Sequence, residues 1–307
     1  MPGTKRNSFR VLAVYVCCCV LWGSSWLAIK IGLREWPPML FAGLRMVLAS
    51  LCLLPFILKR WGERPPKQLI GRMLALGVLQ IGIPYPMLFV AQQWLPSSIA
   101  AVLFATFPVW LMLTSRLFVP GEHLTPLKLA AAALGMAGVL VLQLPRLRGL
   151  SFGSREALGA ALVLGSAMLI ATANALVRRL LGGVRPMMVT FFQISSGAVV
   201  ILTLAGLLEH RAVFPASWPP LLALFYLAIF GTVATYLCFF WLIRRISMAA
   251  VGIVPLIDTT IAVLLGVFFL DEPLTRYVLI GGALVLCAGA LANRPPPVAE
   301  EGATEAG

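Results

Sequence analysis

Apolar residues lie along this chain in long unbroken runs, and polar residues, Pro and Gly are concentrated in the short connections between them. A continuous run of this kind predicts helices, since a barrel strand alternates in polarity and leaves no run longer than a residue or two. Crossing a hydrocarbon core about 30 Å thick at about 1.5 Å per residue takes roughly twenty residues. Ten segments approach or meet that length: roughly Val11 to Leu33, Leu40 to Leu58, Met73 to Ala91, Ile99 to Val119, Leu127 to Leu144, Leu158 to Leu180, Met187 to Leu208, Leu221 to Ile243, Met248 to Leu270 and Tyr277 to Ala292. Pro37-Pro38, Pro65-Pro66, Pro145, Gly182-Gly183 and Pro219-Pro220 punctuate the connections, which are too short for a separate soluble domain. Pro84, Pro86, Pro108 and Pro255 fall within runs and are expected to interrupt the third, fourth and ninth helices.

Composition sharpens this. Of 307 residues, 60% are hydrophobic and 11% charged, against about 25% charged in a soluble protein. A water-soluble globule is excluded, because the polar residues for its exterior are missing. The net charge of +13 would suggest nucleic acid in a soluble protein, but here Lys and Arg sit in clusters between the runs, where they orient a membrane protein. With the N-terminus inside, about sixteen Lys and Arg face the cytoplasm and about seven face out, which favours both termini inside. Residues 1–10 are then a cytoplasmic lead and 294–307 a disordered cytoplasmic tail, rich in Pro, Glu and Gly. The first run has no small-residue cleavage site and reads as a retained span rather than a signal peptide. The six cysteines fall inside apolar runs without metal-ligand spacing and read as packing residues.

The chain also repeats itself. Ser98-Ile99-Ala100-Ala101-Val102 returns as Ser247-Met248-Ala249-Ala250-Val251, Gly121-Glu122-His123-Leu124-Thr125 as Asp271-Glu272-Pro273-Leu274-Thr275, and Pro38-Met39 as Pro186-Met187, all at an offset of about 149. That register sets Arg45 opposite Gln193 and Lys30 opposite Arg178. Five runs per copy is an odd number, so the second copy enters the membrane from the other side. The expected fold is an all-α integral membrane protein of ten transmembrane helices, built as two inverted five-helix repeats over 11–144 and 157–293. Such repeats share a pseudo-two-fold axis in the membrane plane and open alternately to each side, as secondary transporters do.

Ionisable side chains inside a span cost on the order of 3 kcal/mol facing lipid, so they face partners or a watery path. Asp258, about ten residues into the ninth run, and Arg45, some six into the second, are the two such residues. Asp258 suits a substrate ammonium or a proton; Arg45 suits a substrate carboxylate, or pairs with Asp258 between turnovers. A static ion pair, or an Arg that snorkels to the interface, is the competing structural role. Gln80, Asn174 and Gln193 are uncharged polar groups that either bind ligand or join helices. Trp22 and Trp26, four apart on one helix face, line a cavity or meet lipid, and Tyr236 is equally two-sided. Glu122 and Glu272 hold equivalent helix ends, with a structural capping role or a gating one. Ala131 with Gly135 and Ala161 with Gly165 suit close helix packing.

An enzyme is disfavoured, because His123 and His210 fall on opposite sides and no HExxH or GxSxG is present. No GxxxxGK[ST] is present either, so ATP is not expected to drive the protein, and neither a cofactor nor a metal is expected. A channel or a non-transporting membrane scaffold is the rival of another class.

Trp22-Gly23-Ser24-Ser25-Trp26-Leu27-Ala28-Ile29-Lys30, the stretch Pro38 to Arg45, Gly121-Glu122 and Asp271-Glu272-Pro273-Leu274-Thr275 together resemble the EamA-type members of the drug/metabolite transporter superfamily, over about Leu12 to Asn293. Ser25 and Trp26 stand where the family pattern has Asn and Phe, and Leu256-Ile257-Asp258-Thr259 where it often has Leu-Glu-Pro. The resemblance implies an inner-membrane exporter of amino acids or related small metabolites, with Ser25 among the residues near substrate. Multidrug or quaternary-amine efflux is the alternative. Expected partners are a small-molecule substrate and the lipid bilayer, with nucleic acid excluded and a homodimer left open.

Overall fold

The computed structural model describes residues 2–60, 62, 64–95, 97–144, 154–209, 217–269 and 275–292. Among these the regular elements are helices: α1 (Pro2–Gly32), α2 (Pro38–Lys59), α3 (Lys67–Gly77), α4 (Pro84–Trp94), α5 (Ser97–Phe104), α6 (Phe107–Phe118), α7 (Pro126–Gln143), α8 (Ser154–Leu181), α9 (Pro186–Leu208), α10 (Trp218–Ala228), α11 (Thr235–Leu242), α12 (Met248–Phe269) and α13 (Arg276–Ala292). Two π-helical stretches, Val78–Gly82 and Ile229–Ala234, join α3 to α4 and α10 to α11 into longer rods. Among the described residues seven helical stretches are long and apolar enough to cross a membrane, and three shorter apolar helices, Val102–Phe118, Met248–Ala262 and Arg276–Ala292, overlap the expected fourth, ninth and tenth spans. The expected tail lies outside the described residues, as does most of the connection between the repeats.

Proline placement follows two rules. Pro84 and Pro108 open α4 and α6 at the first turn, where the missing N–H breaks no helical bond. Pro255 does not interrupt its helix as expected: α12 runs straight through it, as α2 runs through Pro55. The missing N–H of Pro255 frees the carbonyl of Val251, one turn earlier, and one such lost backbone bond is tolerated where neighbouring helices pack around the gap.

Small residues set the closest approaches. A Cβ on Gly138 of α7 would lie 2.8 Å from the Gly281 carbonyl of α13, and one on Gly281 would lie 2.6 Å from the Gly138 carbonyl. Gly135 receives Leu256 of α12, so the expected packing role of that position has a named partner. On α1, Gly23 lets Ile261 and the Asp258 carbonyl of α12 come close, and Tyr15 donates to the Ala250 carbonyl at 3.0 Å. Helices α2 and α9 meet at Ser50 and Ser195, whose hydroxyls are 3.1 Å apart. Polar anchors finish the rods. Glu209, just past α9, accepts from the backbone N–H of Met39 and Leu40 at 2.9 and 2.8 Å, placing a carboxylate on the positive end of α2. Arg244, past α11, donates to the carbonyls of Gly182 and Val184 at 2.8 and 2.9 Å; burial, then the neighbouring Arg245, holds its guanidinium below the usual arginine range. All six cysteines are free.

Candidate functional site

Arg45 is buried, at 6% exposure, on the face that α2 turns inward with Met46 and Ala49. Its Nε donates to Thr232 Oγ1 at 2.7 Å and its Nη2 to the Gly231 carbonyl at 3.2 Å. Both partners lie in the π stretch Ile229–Ala234. Widening a helix from i→i+4 to i→i+5 bonding disturbs the carbonyl ladder locally, and such bulges recur at functional sites. Here the Gly231 oxygen is turned to a guanidinium, and Thr235 Oγ1 donates to the carbonyl of Phe230. Ser25 of α1 closes the same spot: a Cβ on Gly231 would sit 2.6 Å from its Oγ, which also donates to Leu21 O at 2.6 Å. Two residues expected from the sequence, Arg45 and Ser25, thus converge on Gly231, which was not expected.

An aromatic group adjoins them. Trp22 meets Tyr236 edge-on with centroids 5.9 Å apart and Phe239 at 5.0 Å, and the Tyr236 hydroxyl lies 3.4 Å from that of Tyr85 on α4. Trp22 is half-buried against these two rings. Tyr85 was not legible as a site residue, although its setting between Pro84 and Pro86 marked an irregular turn. Trp26 lies on α1, with its side chain outside the described residues.

The three amides form a second group. Gln80, in the π stretch Val78–Gly82, donates from Nε2 to Asn174 Oδ1 of α8 at 2.8 Å. Gln193 of α9 is fully buried, and neither end of its amide has a partner among the described residues; Gln80 Oε1 has none either. The α9 backbone at Gln193 packs directly on Gly77, where a Cβ would be 2.5 Å from the Gln193 carbonyl oxygen.

Asp258 is buried in α12, at 7% exposure, with Thr259 Oγ1 3.4 Å from its Oδ1. The hydrogen bonds of Arg45 go to Thr232 and Gly231 and not to this carboxylate. Glu122 forms ion pairs with Lys128 at 2.8 Å and with Arg178 of α8 at 3.6 Å, and Arg178 also donates to the Ile246 carbonyl at 2.7 Å. Thr125 caps α7, its Oγ1 accepting from Lys128 N at 3.3 Å, and of the two ion pairs of Glu122 the one with Arg178 joins the two repeats. Glu272 lies outside the described residues. No three His, Cys, Asp or Glu side chains gather to hold a metal among the described residues.

Buried charge and paired irregular helices inside a bundle of membrane-length rods fit a membrane transporter, and the family comparison gives that class. The model of the EamA-like transporter family matches the chain twice, over residues 10–144 and 157–294. The chain belongs to that family. It is 32% identical over 262 residues to "Uncharacterized inner membrane transporter YedA" of Escherichia coli (strain K12), covering 84% of this chain and 82% of the relative. It is 27% identical over 286 residues to "Probable amino-acid metabolite efflux pump" of the same strain, covering 90% and 91%. A solved structure described only as "Crystal structure of protein" superposes with a TM-score of 0.78 at 22% identity, over 92% of this chain and 96% of that one, a likeness of fold.

Proposed function

We propose that the chain is a secondary transporter of the inner (plasma) membrane that exports amino acids or related small metabolites by alternating access, driven by a proton or substrate gradient. In this account the thirteen α-helices of the described residues make ten spans in two inverted repeats, with both termini cytoplasmic. The observation that carries it is Arg45. A guanidinium buried between α2 and a π stretch of the other repeat, bonded there to a hydroxyl and a carbonyl rather than to a carboxylate, keeps its charge for a substrate carboxylate, which its planar fork suits. Asp258 supplies the opposite sign on α12, for the ammonium of a zwitterion or for a coupling proton. Trp22, Ser25, Tyr85 and Tyr236 supply walls of the same site. The name of the Escherichia coli efflux-pump relative supports the amino-acid class.

A metabolite-export screen tests this: cells lacking the gene are compared with cells overproducing the protein across a broad amino-acid and drug panel. Excess of one or a few amino acids in the medium of the overproducer is expected. Equal efflux across the panel overturns the exporter assignment.

A further inference from the structure

The two π stretches stand at related places in the two repeats, since Gly82 and Gly231 are about 149 positions apart, the offset of the sequence repeat. Arg45 and Gln193 are related in the same way, about 148 apart. Each copy therefore sets one polar side chain, on α2 or α9, against a rod with a π stretch from the other copy. In one half the side chain is charged and bonded to the stretch through Thr232 and Gly231. In the other it is the uncharged amide of Gln193, fully buried with both Nε2 and Oε1 unpartnered among the described residues, on a helix that packs through Gly197 against Ile81 of the π stretch, which carries a second orphan, Gln80 Oε1.

A buried carboxamide without partners is disfavoured, and native proteins keep such groups where something else completes them. An apolar residue of the same size would remove the cost at once. What completes Gln193 must both accept from Nε2 and donate to Oε1, which a neutral hydroxyl, carboxamide or water does.

We propose that Gln193, with Gln80 and Asn174, is a second half-site that takes an uncharged hydrogen-bonding group, either a hydroxyl or carboxamide of the substrate or bound water. This rests on the transporter assignment and narrows it: Arg45 takes the anionic end of a substrate and Gln193 its neutral polar end. In the conformer described here α9 is closed onto Gly77, so Gln193 meets the ligand once α3 and α9 separate.

The test compares wild type with Gln193→Met, a near-isosteric change, as purified full-length protein. Thermal midpoints are measured without ligand, and uptake into proteoliposomes is measured for L-threonine and L-glutamine against their apolar counterparts L-valine and L-norleucine. Without ligand, Gln193→Met is expected to melt higher than wild type. With substrate, it is expected to lose about tenfold in the preference for the polar members of the panel. A lower midpoint in the variant would mean that the amide is already satisfied within the protein and overturns the half-site. An unchanged preference overturns the substrate as the completing group; the water source then stands only if wild type, and not Gln193→Met, shows hydroxyl-radical labelling at the neighbouring Phe192, and falls otherwise. Wild type taking none of the four amino acids defeats the amino-acid assignment, while the midpoints and the labelling still decide the half-site.

Discussion

Arg45 on α2 and Thr232 in the π stretch before α11 are joined by a 2.7 Å hydrogen bond that crosses from the first repeat to the second. A buried guanidinium depends on such partners. Thr232→Val keeps the shape and leaves Nε with nothing to donate to, so stability should fall by about 1–3 kcal/mol, read as a lower thermal midpoint in detergent. Thr232→Ser should retain most of it. Equal midpoints for wild type and Thr232→Val would contradict the bond.

Asp258→Asn keeps the size of the side chain and removes its charge and proton. The proposed transport should lose its pH dependence at wild-type expression. A pH profile that survives the change would remove Asp258 from coupling.

Glu122 ties the end of α6 to Lys128 of the first repeat and Arg178 of the second. Glu122→Lys is expected to impair folding or transport, and adding Arg178→Glu to restore part of the loss by reversing the cross-repeat pair. The cycle of single and double variants should return a coupling of about 1 kcal/mol or more. Strict additivity would make the contact incidental.

Gly281→Ala places a methyl group 2.6 Å from the Gly138 carbonyl, where backbone rather than a flexible side chain must yield. A loss of about 1–3 kcal/mol is expected from overpacking. Glu209→Ala exposes the Met39 and Leu40 N–H groups that it caps, for a loss of about 1 kcal/mol. Both appear as lowered midpoints without altered substrate preference.

The membrane-length rods were legible because runs such as Met187 to Leu208 hold no charged residue, and the repeat was legible from Ser98 and Ser247 onward. Arg45 and Asp258 stood out for the same reason: charge is scarce in this chain. Their partners did not stand out. Thr232 is an ordinary residue until the fold brings it to Arg45, 187 positions away, and no residue pattern marks an i→i+5 stretch. Pro255 misled, because proline breaks helices in water more readily than in a packed bundle. Glu209 carries no sequence signal of its role, since its capping of α2 depends on tertiary approach alone.

The central claim is a carrier that alternates, and substrate counterflow tests it most directly. Proteoliposomes holding the purified protein are loaded with unlabelled amino acid identified by the export screen, then diluted into a trace of the labelled form. The account predicts a transient accumulation of label above the outside concentration, abolished in Arg45→Gln. Label that only equilibrates, with no overshoot in wild type, would indicate a channel and contradict it.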